Sequence, residues 1–489
     1  MFPQHSFWGR FIRMSMYYHL PSLLELAAQS LVENEALAIA ALEELPVDIF
    51  PPLFMAAYAE RCRETLKAMV QVWPFACLPL GVLMRKQQAH QENFQAVLSG
   101  LDGLLAQEVR PRRCKLQMLD LRPKIHQNFW AGLFSLKETE DALLMKTKPK
   151  MDGSRMRAKQ PLSRIEVLVD LHLKNGMCDQ LLTSLIRKIK QEKGLLYLHC
   201  KKLSILPIPF QMIKRIMKVV QLDSLQELEV RGSWKLSTLG MFAPYLGQMG
   251  NLHRLLFSHN HTYPYTSLEE KKMYVNQFCS KLLNLPHLQE LCFDSVSFVA
   301  GCLNHILRYL RCYLKNLSVT NCLLLESDLI HLSQCPQISK LKDLHLIRVN
   351  MTSIHAESLR SLLESTSATL QRLSLSECGI TDAQLPVILP ALNCCSQLVT
   401  FDFCGNPISM AMLKSLRQNL RLTKLCHMIY PTPVESYEDV PGALHLGKLA
   451  QLHNTLKWML HELGRPNMDG FGPNPCCHCG FSTFCEFSP

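Results

Sequence analysis

The chain contains no apolar run suited to crossing a bilayer. The best candidate, "MVQVWPFACLPLGVLM" from Met69 to Met84, is short for a span and is broken by Gln71, Pro74 and Pro79. The opening "MFPQHSFWGRFIRMSMYY" has neither a continuous apolar core nor a small-residue cleavage site, so no secretory leader is expected. Also missing are G-x-x-x-x-G-K-[ST], a G-x-G-x-x-G opening a helix, H-E-x-x-H and G-x-S-x-G, the spacings that cradle phosphates, hold zinc or present a nucleophile. Charged residues are sparse at 19%, against 48% apolar, which excludes a disordered chain and points to a folded, soluble, intracellular protein.

What is present begins with size. A chain of 489 residues exceeds one ordinary core and should divide into two or three units or form an extended array. Its 20 cysteines are scattered without a secretory context, so reduced and mostly buried thiols are expected. The formal charge of +11 is concentrated. Lys146, Lys148, Lys150, Arg155, Arg157, Lys159 and Arg164 form one basic group, and Arg187, Lys188, Lys190, Lys193, Lys201 and Lys202 another. Such groups attract acidic partners or an import receptor, or are solvated loop and helix faces.

Self-similarity carries the fold. The pattern L-x-x-L-x-L-x-x-N/C recurs with leading residues Leu195, Leu225, Leu252, Leu288, Leu314, Leu341, Leu370 and Leu398, usually 26 to 30 residues apart and once 36. Alternating apolar positions such as Leu373 and Leu375 put both side chains on one face of a short strand. The Cys or Asn that follows, as at Cys322, Cys378 and Asn406, sits where the chain turns and is expected to bond backbone that the next strand leaves unpaired. Helical stretches intervene, "SDLIHLSQC", "AESLRSLLEST", "DAQLPVILPAL" and "MAMLKSLRQNL", with Thr381 and Ser409 placed as N-caps. The reading is an α/β leucine-rich-repeat solenoid, a horseshoe with parallel strands on the concave side, preceded by an N-terminal helical region. Expected boundaries are 1–110 helical, 111–190 degenerate repeats or cap with a flexible basic insertion at 137–163, 191–430 repeats, 431–465 a capping helix, and 466–489 a Cys-rich tail. Leu449, Leu452, Leu456, Met459 and Leu463 give the capping helix its stripe.

Solvent-facing strand positions are the candidates for capturing a protein target: Glu227, Glu229, Arg254, Glu290, Asp343, His345, Arg372 and Asp402. Both charge signs occur, which excludes a phosphate-binding stripe and sequence-specific nucleic-acid binding. L-x-x-L-L segments begin at Leu20, Leu101, Leu252 and Leu359. The repeat consensus generates such segments automatically. On an exposed helix they can fill a nuclear-receptor groove, and Leu359, Leu362 and Leu363 are the candidate residues. In the tail "NPCCHCGFSTFC", Cys476 and Cys479 form a C-x-x-C knuckle that with Cys485 offers one structural zinc, against a competing reading as free thiols; no other cofactor is expected.

At the other end, "SLLELAAQSL" places Leu23, Ala27 and Leu31 in one helical stripe with a small residue at its centre. After it, "LPVDIFPPL" projects Leu45, Ile49 and Leu53 from a short element that Pro46 can open and Pro51 and Pro52 stop. Ordinary helix packing accounts for either segment. The first nevertheless resembles an elongin-binding box and the second a cullin-2 box, aliphatic-Pro-x-x-aliphatic-x-x-x-aliphatic.

More broadly, "EALAIAALEELP", "FPPLFMAAYAERCRETLKAMVQVWPFACLPLGVLM", "LLAQEVRPRR", "KVVQLDS", "YLGQM", "ECGITDAQL" and "NPCCHCG" resemble the PRAME family of leucine-rich-repeat proteins. The resemblance implies a non-catalytic substrate-recognition subunit of a cullin-2 RING ubiquitin ligase. Its partners would be elongin B and elongin C, cullin-2, a RING subunit and protein substrates, without direct membrane contact. It also implies repression of retinoic acid receptor signalling, with the receptor itself as a partner, and a place in nucleus and cytoplasm. The sequence departs from the family's compact basic nuclear signal, carrying the diluted "KTKPKMDG" instead. Two other readings use the same features: a corepressor that binds nuclear receptors through L-x-x-L-L without any ligase, and an inhibitor solenoid acting by occlusion.

Overall fold

The computed structural model describes residues 21–85, 90–107, 109–122, 164–174, 180–191, 194–259, 267–437, 445–462 and 471–472. The insertion at 137–163, the basic residues within it, Leu20, Leu463 and the cysteines of the tail lie outside these. The chain forms two units, Met1–Asp170 with Cys178–His199, and Leu171–Met177 with Cys200–Pro489.

The first unit is mainly helical, with α1 (Leu23–Val32), α2 (Glu35–Ala41), α3 (Phe50–Glu60), α4 (Arg63–Gln71) and α5 (His90–Leu105). Ser22 and Glu25 close α1 with a reciprocal capping box: the hydroxyl accepts from the Glu25 amide at 3.2 Å and the carboxylate from the Ser22 amide at 2.7 Å. Asn34 caps α2 by accepting from the Leu37 amide. A 3-10 turn over Val47–Ile49 leads into α3, whose first turn takes Pro51 and Pro52 because no amide there needs an intrahelical partner. The chain leaves α3 through Arg61 in the left-handed region, φ 61°. Phe50, Phe54 and Trp73 form the fully buried centre, with the Trp73 ring 5.4 Å from Phe54 and 6.2 Å from Phe50. The indole N–H donates to the Cys77 carbonyl at 2.9 Å.

The apolar stretch Met69–Met84 forms no span. It breaks into the end of α4 and the strand β1 (Cys77–Pro79). Among the described residues no helix is long and apolar enough to cross a membrane. Strand β1 runs parallel to β2 (Met118–Asp120), and β2 to β3 (Ile165–Leu173), whose first residues, to Asp170, belong to this unit. The helix α6 (Gln180–Gln191) completes it, tied to α5 by the Gln95 amide donating to the Ser184 hydroxyl.

In the second unit the repeat becomes structure strand by strand. From Cys200 onward β4 (Leu196–Ile205) belongs here, with the short β5 (Val220–Gln221) beside it. Next come β6 (Glu227–Arg231), β7 (Arg254–Ser258), β8 (Glu290–Asp294), β9 (Asn316–Thr320), β10 (Asp343–Ile347), β11 (Arg372–Ser374), β12 (Thr400–Asp402), β13 (His427–Pro431) and β14 (Phe471–Gly472). From β6 on, each pairs in parallel with the next. The register aligns like with like: Leu228, Leu255, Leu291, Leu317, Leu344, Leu373 and Phe401 stand opposite one another and are sealed from solvent. One slipped residue would turn this whole row outward, which fixes the register.

Helices return the chain along the other side, among them Glu326–Ser333, Ala356–Thr366, Leu385–Cys394 and Met410–Asn419, where the sequence places them. Strands pack about 4.8 Å apart and helices about 10 Å apart, so the strand side is the inside of the curve. The Ser409 hydroxyl caps the last helix by accepting from the Met412 amide at 3.1 Å. Thr381 does not cap its helix. A turn intervenes and Gln384 holds the N-cap position, because helical geometry begins only at Leu385, next to Pro386.

A residue of positive φ follows each of the seven strands from β6 to β12, directly after β6 to β10 and three residues on after β11 and β12: Gly232, His259, Ser295, Asn321, Arg348, Glu377 and Gly405. The repeat requires a left-handed step there, and only two of the seven are glycine. At Gly232 the need is also steric, since a Cβ would lie 2.1 Å from the Pro207 ring. Asn406, fully buried, accepts from the Cys378 and Ile380 amides and donates to the Leu375 and Phe403 carbonyls, stitching its turn to that of the preceding repeat. Cys378 fills the equivalent place with a weaker bond from its thiol to the Leu346 carbonyl at 3.0 Å. The helix Leu446–Glu462 follows the last repeat with Leu449 buried and Leu452 half-buried; Leu456 and Met459 also lie on it.

Candidate functional site

The N-terminal stripe is open. Capping holds α1 in place while Ala28 and Val32, one position round from the predicted stripe, face the unit's own core. Leu23 is 85% exposed, Ala27 is exposed and Leu31 is half-buried. Leu26 at 47% and Leu37 on α2 at 56% add to the apolar surface. The sequence pattern did not single out these two. Scattered exposed leucines need no explanation, but Leu23, Leu26 and Ala27 stand three and four residues apart on one helix and so share a face.

The hook behaves differently. Pro46 is exposed, Val47 is 41% exposed and Leu45 is half-buried. Ile49 and Leu53, expected to project, instead point into the chain's own core at 5% and 0% exposure. The reason is that α3 begins enclosed on every side: Phe50, Pro51, Pro52, Leu53 and Phe54 are all buried in succession, so the start of the helix offers no outward face and Ile49 is drawn in with it. What remains outward is the crest Leu45–Pro46–Val47. Arg113 fixes that crest from behind. Its guanidinium donates to the carbonyls of Leu42, at 3.0 Å, Glu43 and Leu45, and lies 5.2 Å from the centre of the Phe50 ring. Nothing local in "RPRR" signals this role, because the carbonyls lie about seventy residues earlier in the chain.

A polar hollow of about 630 Å³, also unforeseen, is lined by Arg61, Arg63, Glu64, Lys67, Glu92 and Gln95. Ion pairs Arg63–Glu92 at 3.1 Å and Lys67–Glu64 at 3.5 Å join four of its five charged residues.

On the strand side the predicted positions fall into rows. The first row reads Lys202, Glu227, Arg254, Glu290, Asn316, Asp343, Arg372, Thr400 and His427 across successive strands. Its charges pair between neighbours: Lys202–Glu227 at 3.3 Å, Arg254–Glu290 at 3.5 Å and Arg372–Asp343 at 2.5 Å. The second row reads Ser204, Glu229, Leu256, Cys292, Ser318, His345, Ser374 and Asp402. Glu229 pairs with Arg231, while Asp402 accepts from the Ser374 hydroxyl and the Cys404 amide, each at 3.2 Å. Most of these side chains are half-buried, Arg372 is exposed, and Asp343 is buried at 6%. Burial holds the His345 imidazole below the ordinary histidine range; Asp343 and Asp402 pull it back up and Arg372 pushes it down.

The receptor-binding candidates fail on burial. Leu359, Leu362 and Leu363 fill the core at 3%, 0% and 0% exposure, and the outer face of their helix shows Glu357, Arg360 and Glu364 in ion pairs. The repeat consensus puts leucines on the inner face, which is why this L-x-x-L-L cannot enter a groove. Leu101, Leu104 and Leu105 are buried likewise, as are Leu252 and Leu255. Among the described residues no group of three or more His, Cys, Asp or Glu side chains is placed to hold a metal.

The fold defines a leucine-rich-repeat solenoid protein: parallel strands and returning helices in one unit, and a mainly helical unit whose first helix leaves leucines to solvent. The chain belongs to the PRAME family: the PRAME N-terminal domain matches residues 20–130 and the PRAME C-terminal domain residues 165–489. It is 48% identical to PRAME family member 12 of Homo sapiens over 96% of both chains. It is 47% identical to the human PRAME family member 20 over 94% of this chain and 96% of that one. Proteins of this family and fold are typically non-catalytic. Among solved structures it is similar to the complex of Rad7 and Elc1 in yeast, at a TM-score of 0.34 and 17% identity over 52% of this chain and 64% of that chain. It is also similar to the TLR13–ssRNA13 complex, at a TM-score of 0.28 and 15% identity over 70% and 47%. Both likenesses are too remote to bear on partners or substrates.

Proposed function

We propose that the chain is the non-catalytic substrate-recognition subunit of a cullin-2 RING ubiquitin ligase, present in nucleus and cytoplasm. An elongin C–elongin B pair docks on Leu23, Leu26, Ala27 and Leu31 of α1. Cullin-2 grips the crest Leu45–Pro46–Val47, with Ile49 and Leu53 as its buried root. The strand face holds the target protein, and tethering raises its effective concentration at the ubiquitin-charged enzyme supplied by the RING subunit. The observation that carries this reading is the apolar stripe of α1, capped, ordered and left to solvent ahead of the solenoid. Repression of retinoic acid receptor signalling, which the family resemblance implies, would use a surface other than Leu359–Leu363.

The test is co-purification with elongin B–elongin C and cullin-2. Leu23→Asp should abolish elongin capture, and Val47→Asp should reduce cullin-2 capture while sparing elongin. Both residues are exposed, so both variants should fold like the parent. Retention of elongin by a folded Leu23→Asp chain would refute the docking assignment; absence of elongin and cullin-2 from the parent would end the ligase reading.

A further inference from the structure

Along the first strand-face row the charges pair off two by two, and one position interrupts the pattern. Asn316 on β9 stands between the Arg254–Glu290 pair and the Arg372–Asp343 pair. Its Oδ1 has no hydrogen-bond partner, and neither has Oδ1 of Asp343, its in-register neighbour on β10. Both atoms are shielded from water. Acceptors in that position ordinarily find a donor, and a carboxylate oxygen is the most demanding of them.

Charge around the two oxygens points the same way. Arg372 engages Asp343 through Oδ2 alone, while Asp402, two strands away, is held by a hydroxyl and an amide and by no basic side chain. In the second row His345 is flanked by two short side chains, Ser318 and Ser374. The missing partner should therefore be cationic and should present at least two N–H groups to acceptors on strands about 4.8 Å apart. A guanidinium has that fork; an ammonium offers a single centre.

We propose that the strand face binds an arginine side chain of its target protein, its guanidinium donating to Oδ1 of Asp343 and Oδ1 of Asn316. This rests on the reading of the strand face as the target-binding surface. Arg372 acts as the gate: its side chain is 57% exposed and holds Oδ2 of an Asp343 side chain that is 9% exposed, so the incoming arginine must displace it toward solvent to reach the two shielded oxygens.

The test pans the full chain against a random dodecapeptide library, then remakes enriched peptides with citrulline, the neutral isostere, in place of arginine. Titration calorimetry on the parent should show arginine peptides binding roughly tenfold to a hundredfold more tightly than their citrulline forms, the range of a hydrogen-bonded charge. Asp343→Asn should erase that difference, whereas Arg372→Ala, which opens the gate and removes a like charge, should tighten the arginine peptide. Circular dichroism melts confirm that both variants fold. Peptides that lose binding on Ser318→Trp yet ignore the citrulline exchange would overturn the arginine site while leaving the strand face as the target surface. Failure of any enriched peptide to respond to Ser318→Trp would overturn both. An Asn316 amide turned to donate to Asp343 would satisfy the carboxylate internally; parent and Asp343→Asn would then bind alike, which also refutes the proposal.

Discussion

Replacing Asn406 with alanine should do more damage than almost any other single polar change in the repeats. The side chain is fully buried and serves two amides, Cys378 at 3.2 Å and Ile380 at 3.0 Å, and two carbonyls, Leu375 and Phe403, each at 2.8 Å. Alanine removes these four bonds, with a longer fifth to the Cys404 carbonyl at 3.3 Å, and leaves buried backbone groups unsatisfied. At about 1 kcal/mol net per bond, and more where water cannot enter, the cost is about 4 kcal/mol. The equivalent residue one repeat earlier, Cys378, makes its bonds through a thiol, a weak donor to the Leu346 and Ser376 carbonyls and a weak acceptor, so Cys378→Ala should cost about 1 kcal/mol. A chain of two units has no single unfolding free energy, so the measurement is amide hydrogen exchange by mass spectrometry over residues 375–410. Asn406→Ala should speed exchange of the most protected amides there roughly a thousandfold, and Cys378→Ala roughly tenfold or less. Less than a tenfold effect for Asn406→Ala, or equal effects for the two, would refute the assignment of Asn406 as the stitch between turns.

Burial separates Ile49→Asp from Val47→Asp: the first places a carboxylate in the core and should cost about 4 kcal/mol or more, seen as loss of soluble folded chain, while the second should leave the melting temperature of the N-terminal unit unchanged. Burial pushes the thiols of Cys279, Cys378 and Cys395 up to about 12, whereas Cys394 and Cys426 are exposed. Brief iodoacetamide treatment of the native chain at pH 8, read by mass spectrometry, should therefore label Cys394 and Cys426 and spare the other three. For His345, folded imidazole is held below its unfolded value, so the unfolded state takes up the proton first. Its contribution to stability is present above the unfolded histidine value and is lost as pH falls toward the folded one. His345→Gln should flatten the acid side of the stability profile measured by thermal melts.

The solenoid was legible because its rules are periodic. Leu228, Leu255, Leu291, Leu317 and Leu344 share one environment, and the leading leucines located them. The Cys and Asn of the turns were legible for the same reason, although Asn406 reaches back to the preceding repeat and not forward. Less visible were features that depend on packing or on distant contacts. A leucine-proline-isoleucine spacing does not say whether the helix that follows will be enclosed on every side, and the packing around Phe50, Phe54 and Trp73 decides it. Left-handed strand ends escaped notice because His259, Ser295, Asn321, Arg348 and Glu377 occupy a position where glycine would have advertised the turn. Among the site residues the strand-face series could be read from the repeat, but the partnering of Asp343 and the gap at Asn316 depend on which charges face each other across strands. Arg113 was hidden altogether by its separation in sequence from the carbonyls it holds.

The outward crest at Pro46 and Val47 has its footing in Ile49 and Leu53, inside the same core that Phe54 and Trp73 build. Its shape exists only as long as that core is intact. A chain that has lost its helical packing keeps the letters of the motif and forfeits its form, so recognition of this turn by any protein would amount to a reading of the fold behind it.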